Sequence, residues 1–256
     1  MKKLINLIVL FLIVSLNGWA QEAAEVIRVA CVGNSITFGA GIANRDRDSY
    51  PSVLGQMLGK DYEVRNFGFS ARTMLMKGDY PYMKEQMFKD ALSYNPDIVV
   101  IKLGTNDSKS FNWKYKAGLP GDIQTMINAF KAIPSKPKIY LCYPPKAYVS
   151  NASINDSIIA AGVIPVIEQV AKRNKLPIID LHTALNGMQE HFPDNVHPDP
   201  TGAHKIAATV YKAITGKETS HQMQAFPGLK SEWNGCDRYD FRFKGRDAIV
   251  VVPKQA

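Results

Sequence analysis

Residues 98 to 107 read IVVIKLGTND, an apolar stretch that ends in glycine and polar side chains. A half-exposed strand alternates apolar and polar residues, whereas a strand covered on both faces is apolar almost throughout. The stretch therefore predicts a buried strand of a parallel sheet. The polar residues that follow it, including Asn106, should lie at the carboxyl edge of that sheet.

Four similar runs flank this one, at Val26–Val32, Tyr62–Asn66, Lys138–Cys142 and Leu176–Leu181. Helical spacing occurs between the runs, at Pro51–Leu58, Tyr82–Tyr94, Asp122–Ala132, Asn155–Asn174 and Thr201–Thr215. This alternation predicts an α/β fold of three layers, α/β/α. We expect a flavodoxin-like, five-stranded parallel sheet of order 2-1-3-4-5, with ligands bound beyond the carboxyl ends of the strands.

Residues 1–20 have the features of an export signal. Lys2 and Lys3 precede an apolar run from Leu4 to Leu16, and Gly18-Trp19-Ala20 places small residues where a signal peptidase cleaves. We expect a cleaved signal peptide and a periplasmic or secreted protein with no membrane span after cleavage. A retained membrane anchor is the alternative.

The chain is basic, with a formal net charge of +8 that falls to +6 when the two lysines of the signal are removed. The remaining lysines are scattered, and no basic helix face is interleaved with aromatic residues. Nucleic acid is therefore not expected as a partner. The sequence leaves the oligomeric state open.

The three cysteines, Cys31, Cys142 and Cys236, do not form a metal-binding pattern. In the expected strand order Cys31 and Cys142 are two strands apart, about 9–10 Å, which exceeds the ~7 Å reach of a disulfide. We expect no disulfide between them. Histidine and carboxylate residues also lack ligand spacing, so neither a metal nor another cofactor is predicted.

The composition changes after Gly216. Residues 217–234 are polar and rich in turn-forming residues, and RYDFRFKGRDAIVVVPK, residues 238–254, predicts two strands that meet at Lys244-Gly245. We expect one main domain over residues 21–216. Residues 217–256 should form a linker and a β-hairpin appendage, or the start of a second module that this chain does not complete.

Ser35 follows the first predicted strand, in VACVGNSITFG (residues 29–39). Gly33 permits a sharp turn, after which the Ser35 hydroxyl stands at the carboxyl edge of the sheet beside outward-facing backbone N–H groups. A serine in such a turn is commonly only a helix cap. A nucleophilic role requires a base, an orienting carboxylate and oxyanion donors from other strand ends.

Candidates for these roles follow three other strands. Gly68 in NFGFSART lacks a Cβ, so its N–H can approach a ligand closely, and the Asn106 amide of GTND can donate to an oxygen. In FPDNVHPDP, Asp194 and His197 are three residues apart in a segment stiffened by prolines. Each residue also has an ordinary structural explanation: a turn glycine, an Asx turn or a packing histidine.

Together these residues make a complete set for nucleophilic acyl transfer. Ser35 is the candidate nucleophile, His197 the general base, and Asp194 the carboxylate that fixes the imidazole tautomer. The N–H groups of Ser35 and Gly68 and the amide of Asn106 are the candidate oxyanion hole.

Other polar residues compete for these roles. Asp180 and His182, at the end of strand five, are an alternative acid–base pair, although Asp180 is better placed to cap the strand–loop junction. Asp107 is expected to anchor its loop, and His204 to pack or to face solvent.

GNSIT, the glycine of NFGFS, GTND and DNVHPD resemble, in order, the four blocks of the SGNH (GDSL-like) hydrolase family. The resemblance extends from Val26 to Gly216. It implies that Ser35, Gly68, Asn106 and His197 are the four residues that give the SGNH family its name. It also implies that Asp194 is the acid of the catalytic triad. One position departs from the GDSL form, which has aspartate where this chain has Asn34.

GDYPY and GTNDSK…NW further resemble the bacterial carbohydrate O-acetylesterases of the sialate O-acetylesterase and acetylxylan esterase type. This resemblance implies a serine esterase that removes O-acetyl groups from a carbohydrate. The segment from residue 234 resembles the opening strands of an α/β-hydrolase module, to which no activity can be assigned.

The loops Ala71–Tyr80 and Ser108–Leu119 should border the site. The second places Phe111, Trp113 and Tyr115 among lysine and asparagine, which suits a sugar ring better than a long acyl chain; packing within the loop is the alternative. A lysophospholipase or thioesterase of the same fold, and a catalytically silent glycan-binding module, remain alternative functions.

Overall fold

A computed structural model describes residues 25–151 and 153–222, and the backbone of strands at 236–243 and 246–253. The expected signal peptide (1–20), most of the expected linker and the turn at Lys244-Gly245 lie outside the described residues.

Parallel strands form the centre of the structure, in the expected order 2-1-3-4-5. The strands are β1 Ile27–Gly33, β2 Tyr62–Gly68, β3 Ile98–Lys102, β4 Lys138–Tyr143 and β5 Ile178–Asp180. Cys236–Phe243 (β6) and Arg246–Pro253 (β7) pair antiparallel, as expected for the C-terminal hairpin. The fold class predicted from the sequence is confirmed.

Helices occupy the segments between the strands. They are α1 Ser35–Phe38, α2 Arg45–Asp48, α3 Tyr50–Leu58, α4 Gln86–Ser93, α5 Ser110–Trp113, α6 Leu119–Ala132, α7 Asp156–Ile158, α8 Ile164–Asn174, α9 Leu181–Ala184 and α10 Pro200–Thr215. A π-helical stretch, Ile159–Val163, joins α7 to α8. In the part of the chain that the structure describes, none of the helices combines the length and the apolar character needed to cross a membrane.

The core consists of two layers because alternate residues of each central strand face opposite sides of the sheet. Ala30 and Val32 of β1 belong to the layer that contains α6 and α8. Val29 and Cys31 belong to the layer that contains α3 and α10. Cys31 and Cys142 are free, buried thiols on strands that are separated by β3.

Two predicted elements are shorter in the structure than the sequence pattern suggested. β5 ends at Asp180 because the Asp180 side chain accepts a hydrogen bond from the Thr183 N–H and caps α9. The predicted helix Tyr82–Tyr94 is interrupted by extended backbone at Glu85 (ψ 154°), which separates a 3₁₀ turn from α4. Neither difference involves β1, β2 or β3, whose ends carry the candidates Ser35, Gly68 and Asn106.

Candidate active site

Ser35 is the first residue of α1, directly after the turn that ends β1. Asn34 caps this helix, with its side-chain oxygen accepting the Ile36 N–H at 3.2 Å. The turn requires glycine at position 33, because a Cβ there would lie 2.0 Å from Thr37 Oγ1 and 2.6 Å from the Lys102 carbonyl oxygen. The nucleophile candidate is therefore held at the carboxyl edge of the sheet, as the sequence predicted.

Ser35, His197 and Asp194 form a continuous hydrogen-bonded series. His197 Nε2 lies 2.7 Å from Ser35 Oγ, and His197 Nδ1 lies 2.5 Å from Asp194 Oδ2. With Nδ1 protonated and donating to the carboxylate, Nε2 has a free lone pair that accepts the Ser35 hydroxyl proton. This tautomer places a base against the nucleophile.

The Asp194 carboxylate also organises its own turn. Its Oδ1 accepts the N–H groups of Val196 at 3.0 Å and of His197 at 2.6 Å. Partial burial opposes ionisation of Asp194, but the hydrogen bonds from His197 and Val196 outweigh this effect and lower the pKa of the carboxyl. Asp194 is therefore ionised at neutral pH, which favours the imidazolium form of His197 during a reaction.

Two of the oxyanion-donor candidates have an N–H hydrogen that no described group accepts. The Ser35 N–H is at the start of α1 and has no acceptor among the described residues. Asn106, almost fully buried after β3, donates one amide hydrogen to the Arg72 carbonyl at 3.0 Å. A primary amide carries two hydrogens, so the second is left for a substrate oxygen.

Gly68, the third predicted donor, is engaged elsewhere. Its N–H donates to Asn66 Oδ1 at 2.8 Å. A Cβ at this position would lie 2.1 Å from the Phe38 nitrogen, so the close approach of β2 to α1 is sufficient to require glycine. Gly68 can donate to an oxyanion only if Asn66 releases its N–H.

Ala71, which the sequence reasoning missed, offers an alternative third donor. It has a φ of +67°, unusual for a residue with a Cβ, and its N–H has no acceptor in the described chain. The next residue, Arg72, accepts a hydrogen bond from the Asn106 amide through its carbonyl, so the chain at Ala71 passes close to Asn106. No sequence signal marks an alanine in this conformation, whereas a glycine would have suggested it.

The loop after β2 is fastened to the loop after β3 by buried polar groups. The Asp107 carboxylate accepts the N–H groups of Met74 at 3.0 Å and Leu75 at 2.7 Å, so Asp107 is an anchor, as expected. Burial raises the pKa of this carboxyl to about 6 despite these hydrogen bonds. Asn112 and Lys109 both bond the Asp79 side chain, which extends the connection outwards.

The competing acid–base pair does not form. Asp180 caps α9, and His182 Nε2 instead contacts Asp156 Oδ1 at 3.3 Å. His204 stacks on His221 and lies 3.1 Å from the His221 carbonyl oxygen. In the described ranges no group of three or more potential ligand side chains is arranged for a metal ion.

The predicted aromatic contacts occupy different environments. Phe111 and Tyr115 are exposed, but Trp113 is half-buried, and its ring would be 2.3 Å from a Cβ at Gly162. This contact gives the Trp113 indole a packing role in the loop. Tyr80, in the loop after β2, is a further exposed aromatic side chain (51%), although sequence reasoning did not select it.

A serine, a histidine and a carboxylate bonded in series at the carboxyl edge of a parallel sheet constitute the site of a serine hydrolase. Comparison with known families gives the particular family. The chain belongs to the GDSL-like Lipase/Acylhydrolase family, whose model matches residues 31–205. The match includes Ser35, Asn106 and His197.

Among curated proteins, the chain is 44% identical over 225 residues to a protein named acetylxylan esterase from Xylanibacter ruminicola. The alignment covers 79% of this chain, which spans about half (47%) of the length of that relative.

Solved structures share the fold. An aryl esterase from M. smegmatis superimposes with a TM-score of 0.62 at 19% identity, over 75% of this chain and 99% of that one. A carbohydrate acetylesterase family member from Sinorhizobium meliloti gives a TM-score of 0.60 at 22% identity, over 74% of this chain and 97% of that one.

Proposed function

We propose that this chain is a serine esterase that removes O-acetyl groups from a carbohydrate through an acetyl-enzyme on Ser35. The observation that carries the proposal is the series Asp194–His197–Ser35, with distances of 2.5 and 2.7 Å. The acetylxylan esterase relative, at 44% identity, supports the acetyl ester and the carbohydrate.

In the first half of the reaction Ser35 Oγ attacks the acetyl carbonyl carbon while His197 Nε2 takes the hydroxyl proton. The carbonyl oxygen becomes an oxyanion, which accepts hydrogen bonds from the Ser35 N–H and the Asn106 amide. We assign the third donor to the Ala71 N–H in preference to Gly68, because the Gly68 N–H is already bonded to Asn66. The sugar hydroxyl leaves with the proton from Nε2, and acetyl-Ser35 forms.

In the second half a water molecule attacks the acetyl carbon of acetyl-Ser35. His197 Nε2 takes a proton from this water and returns it to Ser35 Oγ as the C–O bond to the serine breaks. Acetate is released and the free serine is restored. Asp194 stabilises the imidazolium in both halves by its bond to Nδ1.

The loops around the site support a sugar rather than a lipid substrate. Phe111 and Tyr115 after β3 and Tyr80 after β2 are exposed aromatic side chains, whose faces can stack on the C–H faces of a sugar ring. Lys109 lies 5.7 Å from the Phe111 ring and 3.0 Å from Asp79, so charged groups interrupt the apolar surface. A long acyl chain requires a continuous apolar groove. The Trp113 indole packs against Gly162 and fixes the segment that carries Phe111 and Tyr115.

Acetate release from acetylated xylan, pectin and sialic acids, measured for wild type and Ser35→Ala, tests the proposal. Wild type should release acetate and Ser35→Ala should not, while the control Ser93→Ala, an exposed serine at the end of α4, should keep full activity. Activity of Ser35→Ala comparable to wild type would refute the mechanism. A nitrophenyl ester series separates the lipid esterase: preference for C8 or longer acyl groups would exclude the carbohydrate proposal.

A fluorophosphonate probe separates an esterase from a silent glycan-binding module. Labelling at Ser35 in wild type, and its absence in His197→Gln, is expected for an active triad. If no labelling occurs in the folded wild-type protein while acetylated glycans still bind, the binding module is the better description.

We further propose that the protein is exported and that cleavage follows Ala20. The charged start and the apolar run to Leu16 support this proposal. Mass spectrometry of the protein recovered from the producing cell should find Gln21 at the N-terminus. Recovery of the chain with residues 1–20 intact in the membrane fraction would instead identify a retained anchor.

A further inference from the structure

Lys102, the last residue of β3, is fully buried directly beneath the turn that carries Ser35. Its Nζ lies 2.6 Å from Asn34 Oδ1, and no carboxylate within residues 25–151 and 153–222 forms an ion pair with it. Burying an ammonium group without a counter-charge is unfavourable, so buried titratable groups beside a reactive residue are candidates for a functional role. The mechanism above does not use Lys102.

The Asn34 side chain connects Lys102 to the nucleophile. Asn34 Oδ1 accepts two hydrogen bonds, from Lys102 Nζ at 2.6 Å and from the Ile36 N–H at 3.2 Å. The Asn34 Nδ2 group is buried and has no acceptor. The second of the two Oδ1 bonds is the N-terminal cap of α1, in which Ser35 is the first residue.

The orientation of the Asn34 amide depends on what Lys102 can donate and accept. An ammonium group has only donors, so it requires the amide oxygen to face it. If the amide turned over, Nδ2 would face two donors, the ammonium and the Ile36 N–H. A neutral amine also has a lone pair and could accept from Nδ2, so deprotonation of Lys102 removes the nearer of the two donors that oppose the flipped amide and leaves only the Ile36 N–H against it.

We propose that Lys102 is a positioning residue whose ammonium form holds the Asn34 amide in the orientation that caps α1, and thereby holds Ser35 in place for reaction. The proposal rests on the nucleophilic role of Ser35 proposed above. It assigns a role to a charged residue within the IVVIKL strand and to Asn34, the position that departs from the GDSL form.

Lys102 is surrounded by groups of the core layer that contains α3 and α10, and among these groups it is Lys102 whose pKa lies near neutrality. Burial lowers the pKa of Lys102 to about 7. Burial raises the pKa of Cys31 on β1 to about 12, and it also raises those of Cys142 on β4 and Tyr50 on α3, so these groups stay neutral. The α10 residues in the same layer are apolar, namely Ala203, Ile206, Ala207 and Val210.

The pH dependence of kcat/KM on a short-chain nitrophenyl ester, together with the rate of fluorophosphonate labelling of Ser35, tests the proposal. Wild type should lose activity as pH rises through about 7, where Lys102 loses its proton. Lys102→Met should be about five- to tenfold slower than wild type at pH 6, which is the effect of losing a helix cap, and should show no such decline. Lys89→Met, an exposed lysine on α4, is the matched control and should behave as wild type.

Asn34→Asp gives a second test that does not require removing the lysine. A carboxylate at position 34 accepts hydrogen bonds at either oxygen, so its orientation no longer depends on the charge of Lys102, and the decline near pH 7 should be absent. A decline unchanged in both Lys102→Met and Asn34→Asp would overturn the proposal and leave Lys102 a structural residue. Failure of wild type to label at any pH would instead contradict the proposed nucleophile, so the two failures are distinguishable.

Discussion

The two sides of the site are built differently. The proposed oxyanion side consists of buried polar side chains: Asn34, Asn106 and Asp107 have exposures of 0%, 6% and 0%, and their bonds join segments distant in sequence. The base side lies at the surface, where the Asp194 and His197 side chains are 56% and 26% exposed. Apart from the bond to Ser35, the side-chain bonds of Asp194 and His197 stay within residues 194–197.

This difference predicts which substitutions lower catalytic activity alone and which also lower the stability of the fold. A buried polar group that loses its partner destabilises the fold by about 1–3 kcal/mol, whereas an exposed one is rehydrated. Changes on the base side should therefore affect activity alone. Changes on the oxyanion side should affect both activity and folding.

The largest expected effect is on the base side. His197→Gln should lower kcat by about 10³–10⁴, because the general base is lost, while the melting temperature should change by no more than about 2 °C. Steady-state kinetics and thermal unfolding provide both quantities. His191→Gln is a matched control because its side chain is 27% exposed, close to that of His197, and it should keep activity. A large drop in the melting temperature of His197→Gln would contradict the difference between the two sides.

On the oxyanion side, Asn106→Ala should lower kcat by about 10²–10³ and also destabilise the fold by about 1–3 kcal/mol, because the Arg72 carbonyl loses its donor. Asn112→Ala, at a neighbouring buried amide that bonds Asp79 and the Asn106 carbonyl, is the comparison. It should lose similar stability in denaturant unfolding but retain far more of its kcat. Equal losses of kcat in the two variants would show that loop order, and not a donor at Asn106, limits the reaction.

The same contrast explains what the sequence could predict. Continuous apolar runs and right-handed crossovers are sufficient to predict the strand order. Asp194 and His197 can be recognised as a pair because they are only three residues apart in the sequence. Ser35 and Asn106 are recognisable because each follows a strand end. These are short-range signals, and they indicate the candidate site residues without indicating the contacts that hold those residues in place.

The support depends on contacts between distant segments. The positive φ of Ala71 is stabilised by a loop that Asp107 anchors from β3, and the burial of Lys102 depends on Asn34. Trp113 packs inward because Gly162 leaves room for its ring. Sequence spacing contains no signal for such contacts, so it indicates neither the inward packing of Trp113 nor the positive φ of Ala71.

Asp107 should make the stability of the fold depend on pH. Burial raises the pKa of its carboxyl to about 6, above the unfolded value, so its contribution to stability is full below about pH 4 and is lost as pH rises through 6. The free energy of unfolding of wild type minus that of Asp107→Asn should therefore fall by on the order of 3 kcal/mol between pH 4 and 7. Urea unfolding at several pH values measures this difference. A difference that is constant with pH, or that grows, would contradict the assigned direction.

The smallest expected effect is at Ala71. The φ of +67° costs an alanine roughly 1 kcal/mol, which glycine avoids, but glycine gains freedom in the unfolded chain, so Ala71→Gly should change stability by less than about 1 kcal/mol. Because the N–H that we assign to the oxyanion hole is retained, kcat should stay within about twofold of wild type. Lys175→Gly, at φ +56° after α8, is a matched control for the change in backbone freedom. A fall in kcat of more than about threefold in Ala71→Gly, with Lys175→Gly unchanged, would mean that the rigidity of the alanine, and not only its N–H, contributes to holding the oxyanion donors in position.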